Sequence, residues 1–171
     1  MASSACVICE QFVRVPKGEW KYLDHGAFVC CKKCILKWME KSGARQCQPT
    51  PSPMVSCQLS RPDHCYSELL GMSFRSFFEM HVAEWMHESG IRFQYEMWEF
   101  MIGVDKWWSP DFWLPDHKCV VEVKGVWWIG ARKKLEAFRM RNRHVPVLVI
   151  PWVLRHEFYT EENVVICDAS G

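Results

Sequence analysis

Residues 109–125, SPDFWLPDHKCVVEVKG, commit the chain to a particular local structure. Phe112, Trp113 and Leu114 on one side and Cys119 to Val123 on the other are aromatic or β-branched runs of strand length, and Pro115-Asp116-His117 between them is turn chemistry. The expectation is an antiparallel hairpin with strands at 111–115 and 118–124. Such apolar strands are buried, yet they carry Asp111, Glu122 and Lys124. Those charges lie either on a solvated hairpin face or in a binding site. If Asp116 and His117 form a two-residue loop, opposed residue numbers sum to 233 and Asp111 faces Glu122. Cross-strand neighbours have Cβ atoms roughly 5 Å apart, and Lys124, two residues beyond Glu122, shares its face.

Two carboxylates so close repel, and a divalent cation removes the penalty. An all-oxygen donor set favours Mg²⁺ or Mn²⁺ over zinc, and a neighbouring ammonium can hold a water or a phosphate oxygen. These are the parts that metal-assisted phosphodiester hydrolysis requires.

The rest of the chain supplies a scaffold for that hairpin. SFRSFFEMHVAEWMHESG reads as a helix with Ser73 as N-cap and Gly90 as its stop. IRFQYEMWEFM alternates like a strand and is followed by a bend near Gly103. GARKKLEAFRMRNRH is a basic helix, VPVLVIPW a buried strand, and VVICDA an edge strand. Helix, three strands, helix, strand is an α/β order and predicts a mixed sheet flanked by helices. Of 21 Lys and Arg and 20 Asp and Glu, residues 1–66 hold nine and five, leaving twelve and fifteen for residues 67–171. That mild negative excess suits a domain that concentrates carboxylates more than one that merely coats nucleic acid. No basic leader or membrane-length apolar run is present, so the reading is soluble, without membrane association, and cytoplasmic or nucleoid-associated.

Ten cysteines without a secretion signal point to metal binding rather than disulfides. Cys6 and Cys9 form one CxxC pair, and Cys31 and Cys34 another, which is zinc-ligand spacing; Cys30 is an alternative to Cys31. KKCILKWMEKSG after Cys31 reads as a helix, so hairpin and helix around one structural Zn²⁺ resemble a treble-clef finger. Cys47, Cys57, His64 and Cys65 are a less regular second set. The proline-rich stretch after Ala44 sets the expected division: a four-cysteine zinc finger at 1–45, a linker at 46–66 and a larger domain at 67–171. Trp107-Trp108 and Trp127-Trp128 read as packing or dimer contacts, and His81, His87 and His117 have no ligand spacing.

Pro110-Asp111 followed by Glu122-Val123-Lys124 matches the signature of the PD-(D/E)XK nucleases. FRSFFE, GIRFQYEMWEF, SPDFWLP, VEVKGVW and ARKK in that order resemble the phage endonuclease I family of Holliday-junction resolvases over roughly residues 74–150. The resemblance implies a restriction-endonuclease-like sheet and a metal-dependent endonuclease acting on branched DNA, with one or two Mg²⁺ or Mn²⁺ per site. It implies Glu79, Asp111 and Glu122 as catalytic carboxylates and metal ligands, the Val123 carbonyl as a further ligand and Lys124 as the catalytic lysine. Arg75, Arg132, Lys133 and Lys134 fall where DNA contacts are expected, and the family implies a homodimer. If the chain is phage-encoded, it works in the host-cell cytoplasm. A nuclease for linear or specific DNA, or an inactive zinc-finger adaptor that binds DNA, are the alternatives. The chain departs from the family in having Gln94 where an acidic residue is expected, a shorter connection around Gly103 to Trp108, and the N-terminal cysteines.

Overall fold

A computed structural model describes residues 2–15, 29–42, 52–53, 65–125 and 129–158. The predicted hairpin is its centre. Strands β9 (Phe112–Leu114) and β10 (Cys119–Lys124) pair antiparallel through Cys119↔Leu114, Val120↔Trp113 and Val121↔Phe112, the register in which residue numbers sum to 233. The ladder stops one pair short of the expected turn, where Lys118 takes a left-handed φ of 48°. Strand β11 (Val147–Pro151) runs parallel to β10 on its other edge, and β6 (Gln94–Tyr95) pairs antiparallel with β9. The four-stranded order is β11-β10-β9-β6.

All five residues of β11 and the first five of β10 are buried, as strands covered on both faces must be. Val121, Val123, Leu148 and Ile150 face a core built with helix α2 (Phe77–Glu88), contributing Phe78, Val82, Trp85 and Met86. Val120, Val147 and Val149 face the opposite core, with Leu135 and Phe138 of helix α3 (Ile129–Arg141). The mixed α/β sheet between helices is therefore as expected, and period-two alternation sorts each strand between its two cores.

Helix α2 begins three residues later than the sequence implied. Ser73 lies in strand β5 (Met72–Phe74), which pairs with β4 (Cys65–Ser67), and Phe74 is fully buried. The N-cap is Ser76, whose Oγ accepts the Glu79 N–H at 3.2 Å. The stop at Gly90 is a Schellman closure: the Gly90 and Ile91 N–H groups donate to His87 O and Met86 O, and Gly90 has φ 70°.

The alternating run 91–101 is not one strand. Glu96 has φ 47°, and the chain restarts as β7 (Trp98–Gly103), which turns into β8 (Lys106–Trp108). This ribbon covers α3 through Phe100 and Trp108, both edge-to-face on Phe138 at 5.2 and 4.7 Å. Two residues of the expected linker, β3 (Ser52–Pro53), pair with β7, and Cys65 opens β4. Residues 46–51 and 54–64 and the expected edge strand at 164–169 lie outside the described residues.

Near the N-terminus, β1 (Ala2–Ala5) and β2 (Phe12–Val15) form a hairpin, and α1 (Lys32–Ser42) follows. Ile35, Trp38 and Met39 of α1 join the core of α2. The Lys32 N–H donates to Glu157 Oε2 at 3.3 Å, and its ammonium lies 5.1 Å from the Phe158 ring, at the end of a 3₁₀ turn (Trp152–Glu157) that follows β11. No described helix is long and apolar enough to cross a membrane. Since Phe138 is fully buried between two aromatic edges, Phe138→Ala is expected to cost about 3–5 kcal/mol in urea unfolding. A loss below about 1 kcal/mol would show that the ribbon does not seal this face.

Candidate active site

The carboxyl end of β10 lies between the N-terminal turns of two helices, α2 from one face and α3 from the other. The 233 register carries on past the last ladder pair. The Asp111 N–H donates to Glu122 Oε2 at 3.2 Å, and Asp111 Oδ2 accepts the Val123 N–H at 2.6 Å. Asp111 and Glu122 are 2% and 3% exposed, and Lys124 is ion-paired with Glu122 Oε1. Glu79 enters from the first turn of α2. Its Oε1 accepts from Ser76 Oγ at 2.9 Å and its Oε2 from the Tyr95 hydroxyl at 2.5 Å. Thus Glu79, Asp111, Glu122 and Lys124, together with the backbone of Val123, converge.

Arg75 joins them as an ion-pair partner. Its Nη2 lies 2.8 Å from Asp111 Oδ1 and 2.5 Å from Glu96 Oε1, and its Nε 3.9 Å from Glu79 Oε2. Tyr95 and Glu96 are site residues that sequence reasoning missed. Tyr95 ties the site together by accepting the Arg75 N–H at 2.9 Å while donating to Glu79. Glu96 lies on the alternating run, where nothing local marks the left-handed residue that ends β6. Gln94, at the position of the expected acidic residue, accepts the Trp98 indole N–H. Lys134 lines a hollow beside the cluster, while Arg132 pairs with Glu136 at 2.7 Å and Lys133 is exposed.

Burial raises the Asp111 carboxyl well above the usual range, helped by the charges of Glu122 and Glu79; burial also raises Glu122, against the pull of Lys124. Glu96 is raised by burial too. For Lys124, burial is outweighed by the charges of Glu122 and Asp111, so its ammonium is held more firmly than usual. Among the described residues, four carboxylates (Glu79, Glu96, Asp111, Glu122) face two cations (Arg75, Lys124), a deficit of two positive charges when all are ionised. An oxygen donor set short by two charges fits a divalent cation held by Glu79, Asp111 and Glu122.

The cysteines make a separate cluster. The sulfurs of Cys6, Cys9, Cys30 and Cys34 lie within 4.8 Å of one another, with Cys9 to Cys30 at 3.4 Å and Cys30 to Cys34 at 3.7 Å. Tetrahedral zinc with bonds of about 2.3 Å requires sulfur separations of about 3.8 Å. The fourth sulfur within 4.8 Å of all the others is that of Cys30, the alternative to the expected Cys31, whose own sulfur lies 3.8 Å from Cys30. The Cys31 carbonyl accepts the Cys34 and Ile35 N–H groups at the start of α1, and its sulfur lies outside the four. Burial pushes the Cys6 thiol up, but the backbone N–H groups of Cys9, Ile8 and Cys30 outweigh it and bring it to about 7, whereas burial and the neighbouring sulfurs push Cys34 up to about 12 and raise Cys30 as well, so the metal-free cluster favours one thiolate, on Cys6, and not four. Cys65 is half-buried near Glu79, and Cys47, Cys57, His64 and the pair Trp127-Trp128 lie outside the described residues.

The raised carboxyls have a consequence for stability. Asp111 and Glu122 hold protons more tightly folded than unfolded, so stability falls as pH rises from the ordinary carboxylate range through their raised values. In chelator at about pH 8, Asp111→Asn is expected to raise the thermal midpoint by about 2–4 °C, the equivalent of roughly 1 kcal/mol. It is also expected to narrow the gap between about pH 5.5 and pH 8. A variant no more stable than the parent at the higher pH would contradict the cost assigned to the ionised pair.

Comparison with known proteins covers the part of the chain that builds this site. The family model described as phage endonuclease I matches residues 65–156, from β4 to the 3₁₀ turn, leaving the cysteine cluster outside. Endodeoxyribonuclease 1 of Enterobacteria phage T3 is 30% identical over 92 residues, covering 52% of this chain and 60% of that protein. Endonuclease I of Escherichia phage T7 is 31% identical over 81 residues, covering 46% and 54%. The chain thus spans under two thirds of the length of these curated relatives. No solved structure matches. With more than half of its residues matched, this chain belongs to the phage endonuclease I family.

Proposed function

We propose that this protein is a metal-dependent endodeoxyribonuclease that hydrolyses phosphodiester bonds in branched DNA, resolving four-way junctions. The convergence of Asp111, Glu122 and Lys124 with Glu79 carries this reading, because separate surface charges would not be buried together at one strand end. The names of the T3 and T7 relatives support the reaction class, and the family resemblance supports branched DNA as substrate.

Glu79, Asp111, Glu122 and the Val123 carbonyl would hold one or two Mg²⁺ or Mn²⁺ ions, which supply positive charge at the scissile phosphate and acidify a water. The protein's own groups do the rest. Ser76 and Tyr95 fix the two oxygens of Glu79, and the Val123 N–H fixes Asp111, so the donor set is aimed before substrate arrives. Lys124, held protonated by Glu122 and Asp111, acts as a donor to a phosphate oxygen or to the attacking water rather than as a base. Arg75 and Lys134 offer positive charge to the backbone on either side, with Arg132 and Lys133 as weaker, more solvated contacts. A homodimer would place two such sites on one junction.

Incubation with a four-way junction and Mg²⁺ is expected to give paired nicks near the branch. Lys124→Ala should lower the cleavage rate by at least about 100-fold while leaving junction affinity within about threefold. The absence of cleavage of any branched or linear DNA by the unmutated protein would sink the enzyme reading. Equal cutting of junction and linear duplex would replace branch selectivity with a general nuclease.

For the cysteine cluster, the reading is one structural Zn²⁺ on Cys6, Cys9, Cys30 and Cys34 that staples α1 against the core of α2, the helix carrying Glu79. Cys30→Ser is expected to lose the bound zinc and lower the thermal midpoint, whereas Cys31→Ser keeps about one zinc per chain by elemental analysis. The reverse pattern would return Cys31 to the ligand set.

A further inference from the structure

Arg75 and Lys124 stand between two hollows and line both. One, about 540 Å³, lies against the first turn of α2 and includes Phe77, Glu79 and Asp111. The other, about 590 Å³, lies between β8 and the start of α3 and includes Trp107, Glu122 and Lys134. Each hollow is within the usual size of a ligand site, ~300–1,000 Å³.

Each is also walled by an aromatic ring left half-exposed. Phe77 is 53% exposed and Trp107 46%, although the next residue in each case, Phe78 and Trp108, is buried in a core. In β8 the alternation of a strand sends Trp108 onto Phe138 and Trp107 outward. Scattered exposed apolar residues are ordinary. Here, however, two rings flank one carboxylate cluster, one on each side of its two cations. The charged lining and the continuity with the cluster argue for a strand of nucleic acid as occupant rather than an apolar protein surface.

We propose that Phe77 and Trp107 are stacking platforms for two unpaired nucleobases, one on each side of the scissile phosphate, and that they select DNA whose strand is unstacked where it is cut. This rests on the nuclease reading above. A phosphate held over the carboxylates between Arg75 and Lys124 has one flanking nucleoside directed into each hollow. In a continuous duplex those bases are stacked on their neighbours and paired, and reaching a side wall requires their extrusion. At a branch point that cost is smallest. Stacking on an aromatic ring is tolerant of base identity, so the selection is for shape and not for sequence.

The test measures binding to a four-way junction and to a linear duplex of matched sequence, with Ca²⁺ in place of Mg²⁺, for the parent, Phe77→Ala, Trp107→Ala and Trp107→Phe. A 2-aminopurine placed on either side of the cut reports stacking by its quenching. Each alanine variant is expected to weaken junction binding about 5- to 150-fold, with duplex binding changed less than about twofold. Each is expected to relieve quenching on one side only, and Trp107→Phe should restore most of the affinity. Junction affinity within about twofold of the parent in an alanine variant, or equal weakening on both DNAs that leaves the junction-to-duplex ratio unchanged, would overturn the selective role of that ring. If the parent neither binds nor cuts branched DNA, the nuclease reading falls as well. If the parent cuts junctions and both variants keep its ratio, only the stacking assignment falls.

Discussion

Asp111 and Glu122 are held together by strand register, and most of the site follows from that pairing. A shift of one residue between β9 and β10 would turn Asp111 to the opposite face, away from Glu122 and Lys124. The register is itself fixed by the two cores, since the same slip would exchange the residues facing α2 for those facing α3. The apolar residues of the hairpin therefore position the charged ones. Val121 and Val123 lock against α2, Val120 and Trp113 against α3 and its ribbon, and the carboxylates are buried where the ladder ends.

That burial is a standing cost, and the arrangement of counter-charges limits it. Lys124 neutralises Glu122 from the same strand, while Arg75 reaches Asp111 and Glu96 from the segment before α2. Arg75 is 51% exposed, so its pairs are partly screened by water and less binding than buried ones. A fully neutralised cluster would be more stable and would have no claim on a further cation. The imbalance of four carboxylates against two cations is a local sacrifice of stability of the kind found at functional sites.

What was legible in the sequence was whatever depends on period and on turn chemistry. The hairpin, its 233 register, α2, α3 and β11 all follow from side-chain alternation or from caps such as Gly90. What was not legible depends on tertiary competition. Ser73 and Ser76 are equally good caps locally. The choice falls to Ser76 because Phe74 is taken into the core and β5 pairs with β4. Likewise the left-handed turn at Glu96 is imposed by contacts from outside its run: its N–H donates to the Asp111 carbonyl and its carboxylate reaches Arg75. Nothing in GIRFQYEMWEF announces either partner.

The cysteines teach the same lesson at shorter range. Cys30 and Cys31 are adjacent, so spacing in sequence separates them poorly, and the preference for a CxxC pair selects Cys31. The start of α1 decides otherwise. Once the Cys31 carbonyl takes up the first helical hydrogen bonds, Cys30, four residues before Cys34, brings its sulfur to the Cys34 sulfur, while the Cys31 sulfur, 3.8 Å from that of Cys30, stays at the edge of the four. The same helix start sets Lys32 against Glu157 and the Phe158 ring, at the far end of the segment that builds the sheet carrying Asp111 and Glu122. Geometry at one helix terminus thus joins the cysteine cluster to the core of α2. The N-terminal segment is in this sense part of the scaffold that holds Glu79, although the family match begins only at residue 65.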